Sequence, residues 1–386
     1  MRLLFFFITF AELLERIRII IFHTMCKKNF SAVENQCKNS CNRNENRSEE
    51  GNFEFGALID LHVHLDGSIS MASAKELAKM QNMPELTDER LHELLCAGPT
   101  CHSLHQFLEK FDYPCSLLQT EAAITKSINN LLHEFREQGI IYTEVRFAPQ
   151  YSMFKGLTMP QVVEAAIDGL DDSIVPCRLI LSCIRGKDKK IHDLNMQTIE
   201  MVAKYMGQGV VSSDLAGPED IFPTSDFEDV FAYARQLGVP FVLHAGEANG
   251  VMTGVDSVRM AIDFGARRIE HGILATKDPE MVKELAERNV PLTICPSSNL
   301  CTELINDIKE FPYLTLKNAG VRVCINTDDM AIIGTNLRKE YELVRKTFGM
   351  TKADAVWCLD NAIDMSFASE DLKENLRKQV HDFYSR

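Results

Sequence analysis

Eight short apolar segments, separated by stretches of helical periodicity, restrict the fold of this chain more than any other feature. Such segments predict parallel strands, because strands covered by helices are apolar along their whole length. The predicted strands are Ala57–Asp60, Ile140–Phe147, Arg178–Ile184, Val210–Leu215, Pro240–His244, Arg268–Glu270, Pro291–Cys295 and Val321–Asn326. The helices predicted between them are Gln161–Asp171, Leu194–Tyr205, Phe227–Leu237, Gly254–Phe264, Pro279–Arg288 and Tyr313–Asn318.

Eight strand–helix units in roughly 330 residues match the size of a (β/α)8 barrel with insertions. An α/β fold of the TIM-barrel type is therefore the predicted architecture. An open, doubly wound sheet is the structural alternative. No Gly-x-Gly-x-x-Gly sequence follows the first strand, which disfavours a dinucleotide-binding version of that sheet.

The segment between the first two predicted strands is long enough to form a helical insertion. Helices are predicted there over Ser73–Met80, Leu104–Phe111 and Glu121–Gln138. An excursion after the first strand of a barrel lies over the carboxyl-terminal mouth, so this insertion is a candidate lid and substrate wall.

Residues 1–55 are predicted to be a disordered or targeting extension, and residues 56–386 a single barrel domain. Leu3–Ala11 resembles the apolar core of a signal peptide, but no small-x-small cleavage site follows it, and Met25 is an alternative start. We therefore expect a cytoplasmic protein, with secretion as the minority alternative.

The charge balance narrows the range of partners. The chain has 41 Lys and Arg against 55 Asp and Glu, a net charge of −14, which disfavours binding to nucleic acid. Charged residues interrupt the apolar start, so no membrane span is expected.

The 12 cysteines include no Cys-x-x-Cys pair, which disfavours a cysteine-only zinc site and suggests a reducing compartment. We expect a monomer that acts on a small molecule.

Residues able to bind metal or transfer protons collect at the ends of the predicted strands. In barrel enzymes this carboxyl-terminal rim holds the catalytic residues. The motifs there are His62-Val63-His64-Leu65-Asp66-Gly67, Asp214-Leu215-Ala216-Gly217, His244-Ala245-Gly246-Glu247, His271-Gly272, Cys295-Pro296-Ser297-Ser298-Asn299 and Asn326-Thr327-Asp328-Asp329.

Four of these residues predict a metal site. His62 and His64 lie on one face of the first strand, about 6–7 Å apart along it, so both can reach one ion. His244 adds a third imidazole. Asp328 is the best-placed carboxylate, since the eighth strand neighbours the first in a closed barrel. These nitrogen and oxygen ligands suit zinc, with iron, cobalt and manganese as alternatives.

The remaining rim residues are candidates for the chemistry. A metal lowers the pKa of its water toward ~7, and His271 can take the proton. Glu247 can stay protonated if partly buried and act as an acid. Asp329 can bond to the substrate or serve as an N-cap or turn residue. Strand alternation predicts that Glu270 faces the helices and has no catalytic role.

In this order, the motifs resemble those of the adenosine deaminase family in the metal-dependent amidohydrolase superfamily. The resemblance extends from Leu58 to Asn361. It implies that one zinc ion per subunit, bound by His62, His64, His244 and Asp328, activates water in purine salvage. The implied reaction is hydrolytic deamination of adenosine, and of 2′-deoxyadenosine, to the inosine product and ammonia.

The resemblance also implies roles around the substrate. His271 would orient and help deprotonate the zinc-activated water, and Glu247 would protonate ring N1 as C6 is attacked. Gly217 would donate its backbone N–H to ring N3, Asp329 would bond to the N7 edge, and Asp66 would hold a ribose hydroxyl. Relatives that act on free adenine tend to have Glu at the position of Asp66, which favours a purine nucleoside here.

Two residues depart from the pattern of the family. Met330 stands at the usual Pro position, where it can reshape the purine edge, and Glu270 stands where Gly is common.

Two alternative functions remain open. The first alternative is a deaminase of adenine, aminodeoxyfutalosine or N6-methyl-AMP. The second is a secreted, growth-factor-like relative, suggested by the apolar start and by Asn-x-Ser triplets at Asn29 and Asn46.

Overall fold

Eight parallel strands form the centre of the computed structural model, which describes residues 53–98, 101 and 103–386. Each strand overlaps a predicted segment or directly continues it. In chain order they are β1 Leu58–His64, β2 Ile140–Phe147, β3 Cys177–Ile184, β4 Val210–Ala216, β5 Leu243–Ala245, β6 Ile269–His271, β7 Leu292–Ile294 and β8 Val323–Ile325.

The strands close into a barrel. β1 to β4 pair in sequence, as do β5 to β8. Single parallel bridges, Ser213 with Phe241 and Val63 with Asp328, join the two sets. The second bridge brings the end of β8 beside β1, which an open sheet would not do. The predicted TIM-type barrel is confirmed.

Helices follow the strands along the chain. Among the described residues, five α-helices lie between β1 and β2, and four follow β8. In chain order the helices are α1 Met71–Met80, α2 Asp88–Leu95, α3 Leu104–Leu108, α4 Asp112–Leu117, α5 Glu121–Gln138, α6 Met159–Asp168, α7 Lys189–Tyr205, α8 Glu228–Gln236, α9 Gly254–Phe264, α10 Pro279–Glu287, α11 Pro296–Cys301, α12 Tyr313–Asn318, α13 Met330–Ile333, α14 Leu337–Phe348, α15 Lys352–Met365 and α16 Glu370–Tyr384.

Local capping explains where these helices begin and end. α7 starts at Lys189, before the predicted Leu194, because the side chain of Asp188 accepts a hydrogen bond from the Ile191 N–H at 2.9 Å. α5 ends at Gln138, and the capping residue that follows, Gly139, has a φ of 78° that favours glycine. The apolar face of α5 is buried as its periodicity predicts.

The helices between β1 and β2 reach the carboxyl-terminal end of the barrel. Leu104 and Phe107 of α3 pack with Ile332, which follows β8. The Ala97 N–H donates to the Ile332 carbonyl at 2.8 Å. This segment therefore forms part of the wall around the mouth, directly above the strand ends.

The sequence also predicts a domain boundary near residue 56 and no membrane span. Residues 53–386 form one compact unit, and Phe55 is buried beside Tyr341. Residues 1–52, most of the predicted extension, lie outside the described residues. Among the described helices, none has the length and apolar character needed to span a bilayer.

Candidate active site

Four predicted metal ligands meet at the end of the barrel. Nε2 of His244 lies 3.1 Å from Nε2 of His62 and 3.3 Å from Nε2 of His64. Oδ1 of Asp328 lies 3.2 and 3.3 Å from the same two nitrogens. All four side chains are buried. Together they offer four donor atoms that can hold one metal ion.

Closure of the barrel fixes this arrangement. The His64 N–H donates to the Asp328 carbonyl at 2.9 Å, and the Asp328 N–H donates to the His62 carbonyl at 2.8 Å. Asp328 adopts a left-handed backbone, with φ of 65°, which is uncommon outside glycine and often marks functional sites. The carboxylate therefore comes from the segment that follows β8 but lies beside both histidines of β1.

Two imidazole rings of the site have a carboxylate near Nδ1, on the side opposite the shared Nε2 atoms. Oδ1 of Asp214 lies 3.0 Å from Nδ1 of His244, and Oε2 of Glu270 lies 2.9 Å from Nδ1 of His62. Asp214 accepts a hydrogen bond from Nδ1–H of His244. Nδ1–H of His62 donates to the Thr293 hydroxyl at 3.0 Å, and that hydroxyl donates to Glu270. Both arrangements leave the Nε2 lone pairs directed at one another. The Nε2 atoms of His62 and His244 are 3.1 Å apart, and their facing lone pairs repel each other unless a positive ion lies between them. This donor set therefore fits a metal.

The prediction that Glu270 faces the helices is wrong. Its carboxylate lies in the barrel interior, 3.1 Å from Arg146 and 3.0 Å from Arg268. Burial alone would raise its pKa, but the two guanidinium groups and His62 hold that pKa well below its usual range. The carboxylate of Glu270 is therefore ionised and lies beside His62, one of the predicted metal ligands.

The backbone of His271 explains the error. His244 pairs with Glu270 across β5 and β6, so regular alternation directs Glu270 inward and would direct His271 outward. His271 instead has φ of 64°. This left-handed turn at the end of β6 brings its imidazole back into the mouth of the barrel.

His271 and Glu247 form a close pair beside the candidate metal site. Nε2 of His271 lies 3.4 Å from Oε1 of Glu247 and 3.7 Å from Oδ2 of Asp328. Burial lowers the pKa of His271 well below its usual value, so the ring is neutral near pH 7. Burial, together with Asp328, raises the pKa of Glu247 well above its usual value. The pair thus combines a neutral base with a carboxylic acid.

Asp329 lies under the turn that follows β1. A Cβ added to Gly67 would lie 1.6 Å from Oδ1 of Asp329, so only glycine allows this approach. Oδ1 of Asp329 is buried without a hydrogen-bond partner among the described atoms. Burial and the adjacent Asp328 raise the pKa of Asp329 well above its usual value, which favours a protonated carboxyl that can donate.

Asp66 and Gly217 line the same cavity. Asp66 accepts hydrogen bonds from its neighbour Gly67 at 3.2 Å and from the Cys115 thiol at 3.6 Å. Burial raises the pKa of Asp66 to about 6. Gly217 has φ of 112°, a conformation that glycine tolerates. Both residues therefore face the same cavity, and their substrate-binding roles stay predictions.

The cavity above these residues has a volume of about 390 Å³, which is within the range of small-molecule sites. Its floor includes His64, His244 and Asp328, and its apolar wall includes Phe107 and Phe111. His62 and His271 are completely buried below that surface. The volume is sufficient for a ligand of nucleoside size.

Met330 takes no part in the cavity lining. Its side chain is buried, and its sulfur accepts a hydrogen bond from the Gln138 amide at 3.7 Å. The expectation that Met330 reshapes the purine edge therefore finds no support in this geometry.

Two functional neighbours were not assigned roles from the sequence. Asp214 belongs to a strand-end motif, and a carboxylate that follows an apolar segment is the sequence signal that could have identified it as a site residue. Asn299 also belongs to a motif, and its Nδ2 lies 3.3 Å from Nδ1 of His271. Their partners are distant in the chain, so only the fold reveals what each side chain orients.

Comparison with known proteins adds independent evidence. The family profile described as adenosine deaminase matches residues 58–383. The adenosine deaminase of Haemophilus ducreyi is 37% identical over 344 residues, covering 86% of this chain and 98% of that protein. That of Enterococcus faecalis is 36% identical over 341 residues, covering 87% and 99%.

Solved structures share the fold. An adenine deaminase from Arthrobacter aurescens has a TM-score of 0.78 at 24% identity, covering 86% of this chain and 100% of that one. The N6-mAMP deaminase of Arabidopsis has a TM-score of 0.73 at 26% identity, covering 84% and 97%. At such identities these structures support the barrel rather than a particular substrate. The match to the family profile and the curated relatives show that this chain belongs to the adenosine deaminase family.

Proposed function

We propose that this protein hydrolyses adenosine and 2′-deoxyadenosine to the corresponding inosine products and ammonia, as a step of purine salvage. The observation that carries this proposal is the convergence of His62, His64, His244 and Asp328 beside Glu247, at the base of one cavity. A metal site with an adjacent proton donor is what hydrolysis of an aromatic amine requires.

Zinc is the proposed metal, with one ion per subunit. Three imidazole nitrogens and one carboxylate oxygen are ligand types that zinc prefers. A bound zinc ion would lower the pKa of its water to ~7 and would so supply a hydroxide nucleophile at neutral pH. His62, His64, His244 and Asp328 would hold the ion, while Asp214 and Glu270 orient two of the imidazoles.

Two residues would move protons during the reaction. The neutral imidazole of His271 accepts the proton from water, since its lowered pKa leaves it unprotonated at pH 7. The carboxyl of Glu247 donates a proton to ring N1, which its raised pKa permits. Protonation at N1 draws electrons away from C6 and favours attack there. His271 would then pass its proton to the C6 amino group, which leaves as ammonia, and Glu247 would regain a proton from the new hydroxyl at C6. The two groups lie 3.4 Å apart, so both face the same reacting centre.

Three donors would match three acceptors of the purine. Glu247 donates to N1, the backbone N–H of Gly217 donates to N3, and a protonated Asp329 donates to N7. The raised pKa of Asp329 supports its part in this scheme, because N7 is an acceptor. Asp66 would accept a hydrogen bond from a ribose hydroxyl.

The cavity favours a nucleoside over a nucleotide. Glu109 and Asp112 line it together with Asp66, and these carboxylates repel a phosphate. Arg185 also lines the cavity, but its terminal nitrogens donate to the carbonyls of Phe222 at 2.8 Å and His244 at 2.7 Å. The guanidinium is therefore already engaged within the protein.

A substrate panel tests the proposal. Purified residues 53–386 are assayed by ultraviolet absorbance with adenosine, 2′-deoxyadenosine, adenine, AMP and N6-methyl-AMP. We expect turnover of the two nucleosides and much slower turnover of the others. Equal or faster turnover of adenine, AMP or N6-methyl-AMP would support the alternative function instead.

We further propose a cytoplasmic monomer. The nine cysteines in the described ranges are all free, which suits a reducing compartment. Measuring the protein in cell extract and in culture medium tests this against the secreted alternative, since a secreted form would accumulate in the medium. Light scattering after size exclusion tests the oligomeric state.

A further inference from the structure

One buried carboxylate holds the loop that carries the proposed proton donor. Glu219 follows β4, whereas Gly246, Glu247 and Ala248 follow β5. Oε1 of Glu219 accepts a hydrogen bond from the Gly246 N–H at 2.9 Å, and Oε2 accepts from the N–H groups of Glu247 and Ala248, each at 2.8 Å. Three successive backbone donors thus converge on a side chain that is 2% exposed.

A side-chain network fixes Glu219 in turn. The Ser257 hydroxyl, from α9, donates to Oε1 of Glu219. Oγ of Ser257 lies 2.7 Å from Oγ1 of Thr224, and Arg185 donates to Thr224 at 3.2 Å. The two carboxylate oxygens of Glu219 therefore accept four hydrogen bonds, which matches the acceptor capacity of an ionised carboxylate.

The two loops are also joined through their backbones. The Val251 N–H donates to the Asp220 carbonyl at 2.9 Å. A Cβ added to Gly250 would lie 1.9 Å from the same carbonyl oxygen. The loop after β5 is therefore built against the loop after β4, with Glu219 as the polar contact between them.

This contact links two groups proposed to bind the same ring. Gly217 lies two residues before Glu219, and Glu247 donates its own N–H to Glu219. In the proposed function, Gly217 bonds to N3 and Glu247 protonates N1. The position of the acid relative to the N3 contact thus depends on the Glu219 carboxylate.

We propose that Glu219 is a positioning residue for deamination, which acts through Glu247 by fixing the backbone of residues 246–248. This inference rests on the proposed function. A displacement of about 1 Å in a catalytic group can cost on the order of 100-fold in rate. Glu219 would therefore be needed for the chemical step without touching the substrate.

The decisive variant is Glu219→Gln. Its amide nitrogen cannot accept hydrogen bonds, so one pair of the four donors loses its acceptor while the side-chain volume stays nearly the same. We expect kcat for adenosine to fall on the order of 10- to 100-fold, with KM changed less than about threefold. Bound metal per chain should be unchanged. Glu228→Gln, at an exposed position, is the matched control and should behave as the wild type.

A double-mutant cycle separates positioning from a general loss of structure. If Glu219 acts through Glu247, the Glu219→Gln substitution should slow a Glu247→Gln protein by less than about twofold. Independent, multiplicative losses in the double variant would overturn the inference, as would a Glu219→Gln variant with wild-type kcat.

A milder variant keeps the test available if Glu219→Gln fails to fold. Ser257→Ala removes one donor and leaves the carboxylate intact, so we expect a smaller fall in kcat that again disappears in the Glu247→Gln background. A wild-type kcat for Ser257→Ala, or a fall that persists in that background, would overturn the inference. A wild-type protein without adenosine turnover would overturn the proposed function itself, a result distinct from these.

Discussion

Oδ1 of Asp214 lies 3.0 Å from Nδ1 of His244, on the side of the ring opposite the other proposed metal ligands. The carboxylate holds the imidazole in the tautomer whose Nε2 lone pair faces the site, and it raises the basicity of that nitrogen. Glu270 lies in the corresponding position beside His62, with Oε2 2.9 Å from Nδ1.

Asp214→Asn should weaken metal binding. The amide oxygen can still accept from Nδ1–H, but the negative charge is lost, and changes of this kind typically cost about 10- to 100-fold in metal affinity. Competition with a fluorescent zinc chelator measures the dissociation constant. Asp229→Asn, exposed on α8, is the control. An affinity equal to that of the wild type would contradict the role given to Asp214.

Glu247→Gln should lower kcat by about 10²- to 10⁴-fold, the usual contribution of a general acid or base. The amide is similar in size and cannot donate an acidic proton. Metal content should be retained, because Glu247 is not one of the four proposed ligands. Single-turnover kinetics with adenosine measures the effect. Near-normal turnover would identify another group as the proton donor.

The dependence of kcat/KM on pH should be bell-shaped. His271 must be neutral to accept a proton, so activity rises as pH increases through its pKa, which lies below the usual 6.5. Glu247 must be protonated to donate, so activity falls as pH increases through its pKa, which lies above the usual 4.5. The Glu247→Gln variant should shift the basic limb, because only the ionisation of Asp329 then limits activity. A basic limb unchanged in that variant would argue against this assignment.

Gly67→Ala should impair catalysis through Asp329. The added methyl would lie 1.6 Å from Oδ1 of Asp329, so this carboxyl must move away from the purine edge. A loss of about 10²-fold in kcat/KM is expected for such a displacement. Steady-state kinetics, with metal content and thermal unfolding as controls, tests this expectation. Wild-type kinetics would show that the position of Asp329 is unimportant.

Much of the barrel and of its rim could be predicted from sequence because both depend on local patterns. Continuous apolar segments specify buried strands, and a period of two places His62 and His64 on one face. Closure of the barrel then brings Asp328 to β1, as the bridge from Val63 confirms. These inferences need only strand order and side-chain alternation.

The remaining features depend on contacts that local patterns do not contain. The inward direction of Glu270 follows from regular pairing with His244, but it is concealed by the left-handed backbone of His271. Glu219 accepts hydrogen bonds from a loop 27 to 29 residues away. Such partners are fixed by tertiary structure, so sequence could identify the residue types without their roles.

The central claim is that a single metal ion at His62, His64, His244 and Asp328 supports deamination of adenosine. The most direct measurement removes the metal by chelation and follows ammonia release from adenosine while zinc is added back. The account predicts no turnover in the metal-free protein and a linear rise that ends at one ion per chain. Full turnover without metal, or saturation at two ions per chain, would contradict it.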